Sequence, residues 1–114
     1  MKVQEYSFGK IMVNGKSYET DLVIDQGEIK KRKKNASKHL KPNYGHTPLT
    51  VNENIPWNCS TLVIGTGKTG SLPITDEVYQ EAENRGVQVI AKPTEDAIHL
   101  LGKDNTNFIL HLTC

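Results

Sequence analysis

Three groups of residues in this chain carry enough chemistry to suggest a site. The first is Gly65-Thr66-Gly67-Lys68-Thr69-Gly70, a Gly-x-Gly-x-x-Gly pattern directly after an apolar run. Successive backbone N–H groups in such a loop can form a nest for an anion or carboxylate, and Lys68 would add a positive charge. The same glycines could instead only permit a tight connection. The second group is Lys30-Lys31-Arg32-Lys33-Lys34, with Lys38 and Lys41 just beyond. Seven of the 14 Lys and Arg residues lie between Lys30 and Lys41, and no acid does. This segment could meet an acidic protein, an anionic small molecule or nucleic acid. It could also be an edge strand that uses lysine against edge-to-edge pairing, followed by a solvated loop. The third group is His39, His46, His99 and His111 with Cys59 and Cys114. Their spacing matches no metal-ligand pattern, so no metal is expected. His111 reads as a hydrogen-bonded, half-buried histidine, and no Gly-x-Ser-x-Gly elbow supports serine chemistry.

Two nucleotide readings of the glycine loop fail on their neighbours. Ser71-Leu72-Pro73-Ile74 separates the loop from the next helix, so no helix N-terminus faces a phosphate held there. Lys92-Pro93 stands where a ribose-binding acid would end the following strand. Gly67-Lys68-Thr69 is also a fragment of a P-loop, but the earlier glycine that the loop needs is Leu62. No nucleotide or other cofactor is expected.

The elements that would position these groups begin with β structure. Tyr6 to Val13 reads as a strand with a bulge at Gly9, which restores its alternation. Asn14-Gly15 is a strong hairpin signal, and a return strand would run from about Ser17 to Ile24. Asp25-Gln26-Gly27 then turns the chain into Glu28-Ile29-Lys30-Lys31, giving a β-meander. From Lys33 to Asn58 periodicity dissolves, and Pro42, Pro48 and Pro56 forbid a long helix. Leu40, Tyr44, Leu49, Val51, Ile55 and Trp57 are expected to pin this stretch to the sheet.

The second half switches to α/β. Thr61-Leu62-Val63-Ile64 reads as a strand buried on both faces. Thr75 caps a helix over about Asp76 to Arg85, with Val78, Tyr79 and Ala82 as its apolar stripe and Gly86 closing it. Val87 to Ala91 is the next strand, and Thr94 caps a second helix with Ala97, Ile98 and Leu101 inward. The last strand is Phe108 to Thr113. Phe108, Leu110 and Leu112 share one face, and Ile109, His111 and Thr113 share the other.

Composition excludes several classes. A net charge of +1 offers no whole-molecule attraction to nucleic acid or anionic lipid. An apolar fraction of 36% with 6% aromatics leaves little room for a large internal ligand cavity. No apolar run approaches the roughly 20 residues of a membrane helix. Two cysteines do not make a disulfide scaffold. Residues 1–114 are expected to form one domain, cytoplasmic and not membrane-bound.

Several pieces, in order, resemble the Mth-domain family, catalogued as domain of unknown function 498. They are Tyr6-Ser7-Phe8-Gly9, Asp21-Leu22-Val23-Ile24, Lys31–Lys34 leading to Gly45-His46, and Leu62-Val63-Ile64-Gly65-Thr66-Gly67. Gly86-Val87, Thr94-x-x-Ala97 and His111-Leu112-Thr113-Cys114 complete the set. Relatives include an adipogenesis-associated protein and a mitochondrial complex I assembly factor. The resemblance implies a three-layer α/β (α+β) fold with a central mixed five-stranded sheet, two helices and an N-terminal β-meander. It implies no reaction. Many relatives carry Tyr-Asn where this chain has Leu100-Leu101. By pattern alone the last strand would be parallel to its predecessors. The resemblance implies a central, antiparallel last strand, which would start beside the glycine loop and end near Trp57-Asn58-Cys59. The expectation adopted follows the resemblance.

The expected ligand site is a crevice where Gly65–Gly70 meets Pro93-Thr94. Gly65, Thr66, Gly67, Lys68, Gly70 and Thr94 would bind a small anionic ligand, and Lys31, Arg32, Lys33 and Lys34 would form a basic surface. A protein-interaction or assembly module, or a small-anion binder, is the leading functional reading. A small enzyme using the loop as an oxyanion nest is the alternative. Nucleic-acid binding through Lys30–Lys41 is the third reading, and nucleic acid is not the expected partner.

Overall fold

The structure, a computed structural model, describes residues 2–45 and 47–114. The chain opens with β1 (Val3–Ser7), β2 (Lys10–Val13) and β3 (Lys16–Tyr18), which pair in that order as a small antiparallel sheet. Phe8-Gly9 is not a bulge within one strand. It is the two-residue turn of a hairpin in which Ser7 faces Lys10. Asn14-Gly15 makes the next turn as expected, with φ of 51° and 82°, the paired left-handed conformations of a type I′ turn.

The predicted return strand is divided. β3 ends at Tyr18, and β4 (Leu22–Asp25) belongs to a second sheet, where it forms a hairpin with β5 (Glu28–Lys31) across Gln26-Gly27. A 3₁₀ segment follows (Asn35–Leu40), then one helical turn, α1 (Lys41–Tyr44). After the proline-rich stretch come β6 (Thr61–Thr66), α2 (Asp76–Asn84), β7 (Gln88–Lys92) and α3 (Thr94–Ala97). A short 3₁₀ turn and β8 (Thr106–His111) end the described elements.

The five-stranded sheet has the order β5-β4-β8-β6-β7. β8 is central, as the resemblance implies, but its direction is corrected. It runs parallel to β6, with Thr61 opposite Thr106 and Thr66 opposite His111, and antiparallel to β4. The direction expected from pattern alone, a parallel strand after the strand–helix unit, prevails here. His111–Cys114 therefore reach the glycine loop, while Asn107 lies beside Asn58.

Alternation along the sheet divides the core in two. Phe108, Leu110, Leu112, Leu22, Ile24 and Val63 pack under the small sheet and α3 with Ile11, Val13 and Ala97. Ile109, Val23, Leu62 and Ile64 pack under α2 and the long loop with Leu49, Ile55 and Val78. These are the three layers. On α2 only part of the expected stripe is internal, since Tyr79 is 44% exposed. Leu49 and Ile55 pin the long loop, whereas Tyr44 and Val51 face outward.

Candidate functional site

The glycine loop is filled by the chain itself. The amide of Lys68 donates to the Thr113 carbonyl at 2.7 Å and that of Ser71 to the Cys114 carbonyl at 2.8 Å. Gly67 N–H donates to Thr94 Oγ1 at 2.8 Å, and Gly70 N–H to the Gly67 carbonyl at 3.3 Å. Thr69 Oγ1 also donates to the Cys114 carbonyl, at 3.0 Å. The Gly67, Lys68, Gly70 and Ser71 amides are thus engaged within the chain, and the loop is a joint packed against Thr113-Cys114.

Each remaining member of the expected ligand set has a structural partner. A Cβ on Gly65 would stand 2.9 Å from Thr94 Oγ1 and 3.0 Å from Leu110 Cδ2, so Gly65 lets α3 close onto β6. Thr94 is fully buried, and its hydroxyl donates to the His111 carbonyl while accepting from Gly67. Thr66 is buried, and its carbonyl accepts from Leu72. Lys68 Nζ lies 3.9 Å from Glu95 and 5.2 Å from the centre of the Tyr6 ring. The parallel direction of β8 produces this arrangement, because it delivers Thr113 and Cys114 to the loop.

The basic segment separates into two parts. Lys31 and Lys33 are exposed and Lys34 is half-buried, but Arg32 is only 4% exposed and is corrected from surface to interior. Its Nε and one Nη hold Glu53 at 2.7 and 2.9 Å, the same Nη reaches the Pro48 carbonyl at 3.1 Å, and the other Nη reaches Asp21 at 3.0 Å. Ser37 Oγ donates to Glu53 at 2.7 Å and lies 2.7 Å from Thr50 Oγ1. A polar clamp of Arg32, directly after β5, with residues of the 3₁₀ segment and the loop therefore holds the long stretch in place. A buried guanidinium needs such full pairing, since an unpaired one would be strongly disfavoured.

Beside the clamp, Asp21 Oδ2 also meets His111 Nδ1 at 2.7 Å, and Asp21 Oδ1 accepts from the Leu112 amide at 3.0 Å. His111 Nε2 lies 3.3 Å from Thr113 Oγ1. His111 is buried with both ring nitrogens near partners, as its place on the strand suggests. Burial by itself would raise the Asp21 pKa. The His111 hydrogen bond and charge, the Leu112 amide and the Arg32 charge outweigh burial and lower it from 3.8 to about 2. A depressed folded value means that the stabilisation is complete above pH ~4 and is lost as pH falls toward ~2, and it amounts to about 2 kcal/mol. Asp21→Asn should remove that acid-dependent part. Urea unfolding of the two proteins between pH 2 and pH 5 checks it, and parallel stability curves would count against the network.

A hollow of about 570 Å³ opens next to this network. Lys31, Lys33, Lys34 and Lys38 stand around it, with Glu19, Thr20, Thr113 and the edge of the Asp21–Arg32 pair. A smaller hollow of about 300 Å³ on the same edge is lined by Val23, Lys30, Lys31, Lys33 and Asn54. Asp21, Glu53, Ser37 and Thr50 are not legible as site residues in the sequence, because nothing near them in the chain marks them. Only the hairpin of β4 with β5 and the return of β8 bring them together.

The other chemical candidates add no site. Burial pushes the Cys59 thiol pKa up, with the Asp25 charge adding and the Asn107 and Thr61 amides opposing, which works against a reactive thiolate. Cys114 is half-buried with a free thiol. Among the described residues no group of His, Cys, Asp and Glu could hold a metal ion. His46, part of the Gly45-His46 piece of the resemblance, lies outside the described residues. Among the described residues no helix is long and apolar enough to cross a membrane.

Comparison with solved structures gives several matches, three of which cover nearly the whole of both chains. A conserved hypothetical protein of Pyrococcus horikoshii OT3 is 31% identical, with 100% of each chain covered and a TM-score of 0.82. A protein named MT938 is 19% identical, with 98% of this chain and 97% of that one covered and a TM-score of 0.72. An outer membrane protein from Bartonella henselae is 13% identical, with 98% and 94% covered and a TM-score of 0.66. The last two show a shared fold alone. A search of curated proteins finds no match. The profile of the family described as "Protein of unknown function (DUF498/DUF598)" matches residues 3–101, which agrees with the resemblance to domain of unknown function 498. On that match and the full-length likeness to the Pyrococcus protein, the chain belongs to the DUF498/DUF598 family.

Proposed function

We propose that this protein is an interaction module that binds an anionic segment of a partner protein at the basic hollow beside β5. What supports this reading is one observation. Lys31, Lys33, Lys34 and Lys38 surround a single hollow, and none of them pairs with a carboxylate among the described residues. Arg32 and Asp21, at its edge, are engaged in the buried network with Glu53 and His111, and Glu19 is the one further acid in the lining. An excess of positive charge focused in a concave surface attracts anions and steers their approach. An enzymatic reading has less support, since the Gly67, Lys68 and Gly70 amides of the loop already donate within the chain.

The test uses a fluorescein-labelled peptide of alternating Glu and Val in an anisotropy titration. Binding at low salt should weaken about tenfold or more in the Lys33→Glu/Lys34→Glu/Lys38→Glu variant, and should also weaken as salt rises. Equal binding by the variant would move the site elsewhere. Tighter capture of a mixed-sequence RNA, with a steep salt slope, would replace the protein partner by nucleic acid.

A further inference from the structure

We infer that the partner segment binds in extended form, as an added strand on the free edge of β5. This rests on the basic-hollow reading and specifies the partner's backbone as well as its charge. β5 is the outermost strand of the five-stranded sheet, and no described strand pairs with its far side. The Arg32 amide donates to the Asp21 carbonyl at 2.8 Å, which makes Asp21–Arg32 a hydrogen-bonded pair of the antiparallel ladder. Pairs alternate along such a ladder. Val23–Lys30 and Asp25–Glu28 are then also hydrogen-bonded pairs, and Ile29 and Lys31 turn their N–H and C=O groups outward. Two consecutive sites for backbone pairing thus stand open on this edge, as in recognition by strand addition.

Both hollows adjoin the Lys31 end of this edge, and Lys31 and Lys33 line each of them. Lys31 is opposite Leu22 and Lys30 is opposite Val23, so these neighbouring lysines project to opposite faces of the sheet. The larger hollow is lined by Lys31, Lys33, Lys34 and Lys38, and the smaller one by Lys30, Lys31 and Lys33. An added strand would direct alternate side chains to each hollow, and both hollows favour acids. The same lysines disfavour a second copy of this chain, because two β5 edges side by side would set lysine against lysine. The occupant is therefore an extended, acidic segment of another protein.

The experiment follows backbone amide exchange in the full chain by NMR, with and without the Glu/Val peptide. The Ile29 and Lys31 amides should exchange freely alone and become protected at saturation, while the ladder amide of Lys30 is protected throughout. A peptide of identical sequence, N-methylated at alternate residues, should bind about tenfold more weakly, since it loses two or more backbone hydrogen bonds. Lys31→Pro, which removes one outward donor at a tolerated edge position, should weaken binding more than Lys31→Ala does. Binding of both peptides with equal affinity and no new protection at Ile29 and Lys31 would overturn strand addition while leaving the basic-hollow reading intact. No binding of either peptide to the wild-type chain would overturn both.

Discussion

Gly67→Ala is expected to lower the urea midpoint and the melting temperature more than any other single glycine substitution. The Cβ it introduces would overlap the carbonyl carbon of Cys114 and stand 2.5 Å from its oxygen, with the Thr113 oxygen at 2.7 Å. These are backbone atoms, which cannot rotate aside as a side-chain tip can. Gly67 also has φ of +104°, a conformation that side-chain-bearing residues rarely adopt. To relieve the overlap, the chain must expel Thr113-Cys114 from the loop. That leaves the Lys68 and Ser71 amides without acceptors and disturbs the end of β8. The combined cost is about 3 kcal/mol or more, or roughly 10–15 °C in melting temperature for a domain of this size. Gly86→Ala is the control. Its φ is +70° but nothing lies within 4 Å of the added carbon, so it should cost only about 1 kcal/mol. Similar losses at the two positions would refute the packed joint between the glycine loop and the last residues.

The second large effect concerns the Arg32–Glu53 pair. Their side chains are 1% and 3% exposed, and Arg32 is the one cation paired with Glu53 among the described residues, while Arg32 itself also holds Asp21. Arg32→Met should cost about 3–5 kcal/mol, because it leaves the Glu53 carboxylate buried without a cation, and Glu53→Leu should cost less, about 2–3 kcal/mol, because Arg32 keeps Asp21 and the Pro48 carbonyl. The double variant should recover most of that loss and lie within about 2 kcal/mol of the wild type, since a well-filled apolar pair often replaces a buried ion pair at little net cost. Asp21 keeps His111 and the Leu112 amide in all three variants. Denaturant unfolding of the four proteins measures the coupling directly. A double variant as unstable as the sum of its parts would mean that the pair stabilises the long loop by more than mutual neutralisation.

Much of the scaffold is legible in the residues alone. The turns at Asn14-Gly15 and Gln26-Gly27, the helix after Thr75, the buried strand from Thr61 and the two faces of β8 all follow from local rules. Positive φ and alternation act over a few residues, and the chain carries those signals in its letters, whereas the expected side-chain caps are not made: the Thr75 hydroxyl has no partner among the described residues, and Thr94 lies one residue inside its helix. The turn at Phe8-Gly9 reads as a bulge because a bulge and a tight turn restore the same alternation. The division between β3 and β4 is not marked in the chain because no Gly or Pro breaks Ser17 to Ile24, and only their partners separate them.

The candidate site divides the same way. Its lysine-rich segment is plain in the composition, since charge density needs no partner to be seen. The burial of Arg32 is not, because an arginine reads alike whether it meets water or Glu53, 21 residues away in sequence. Nor can the letters Gly-x-Gly-x-x-Gly say whether a ligand or the chain itself takes the amides. The direction of β8 decides that, because it brings Thr113 to Lys68 and His111 to Asp21, 90 residues apart. Conformational preference is a property of a residue and its neighbours. Hydrogen-bond partnership between distant groups exists only once the sheet order has placed them within about 3 Å.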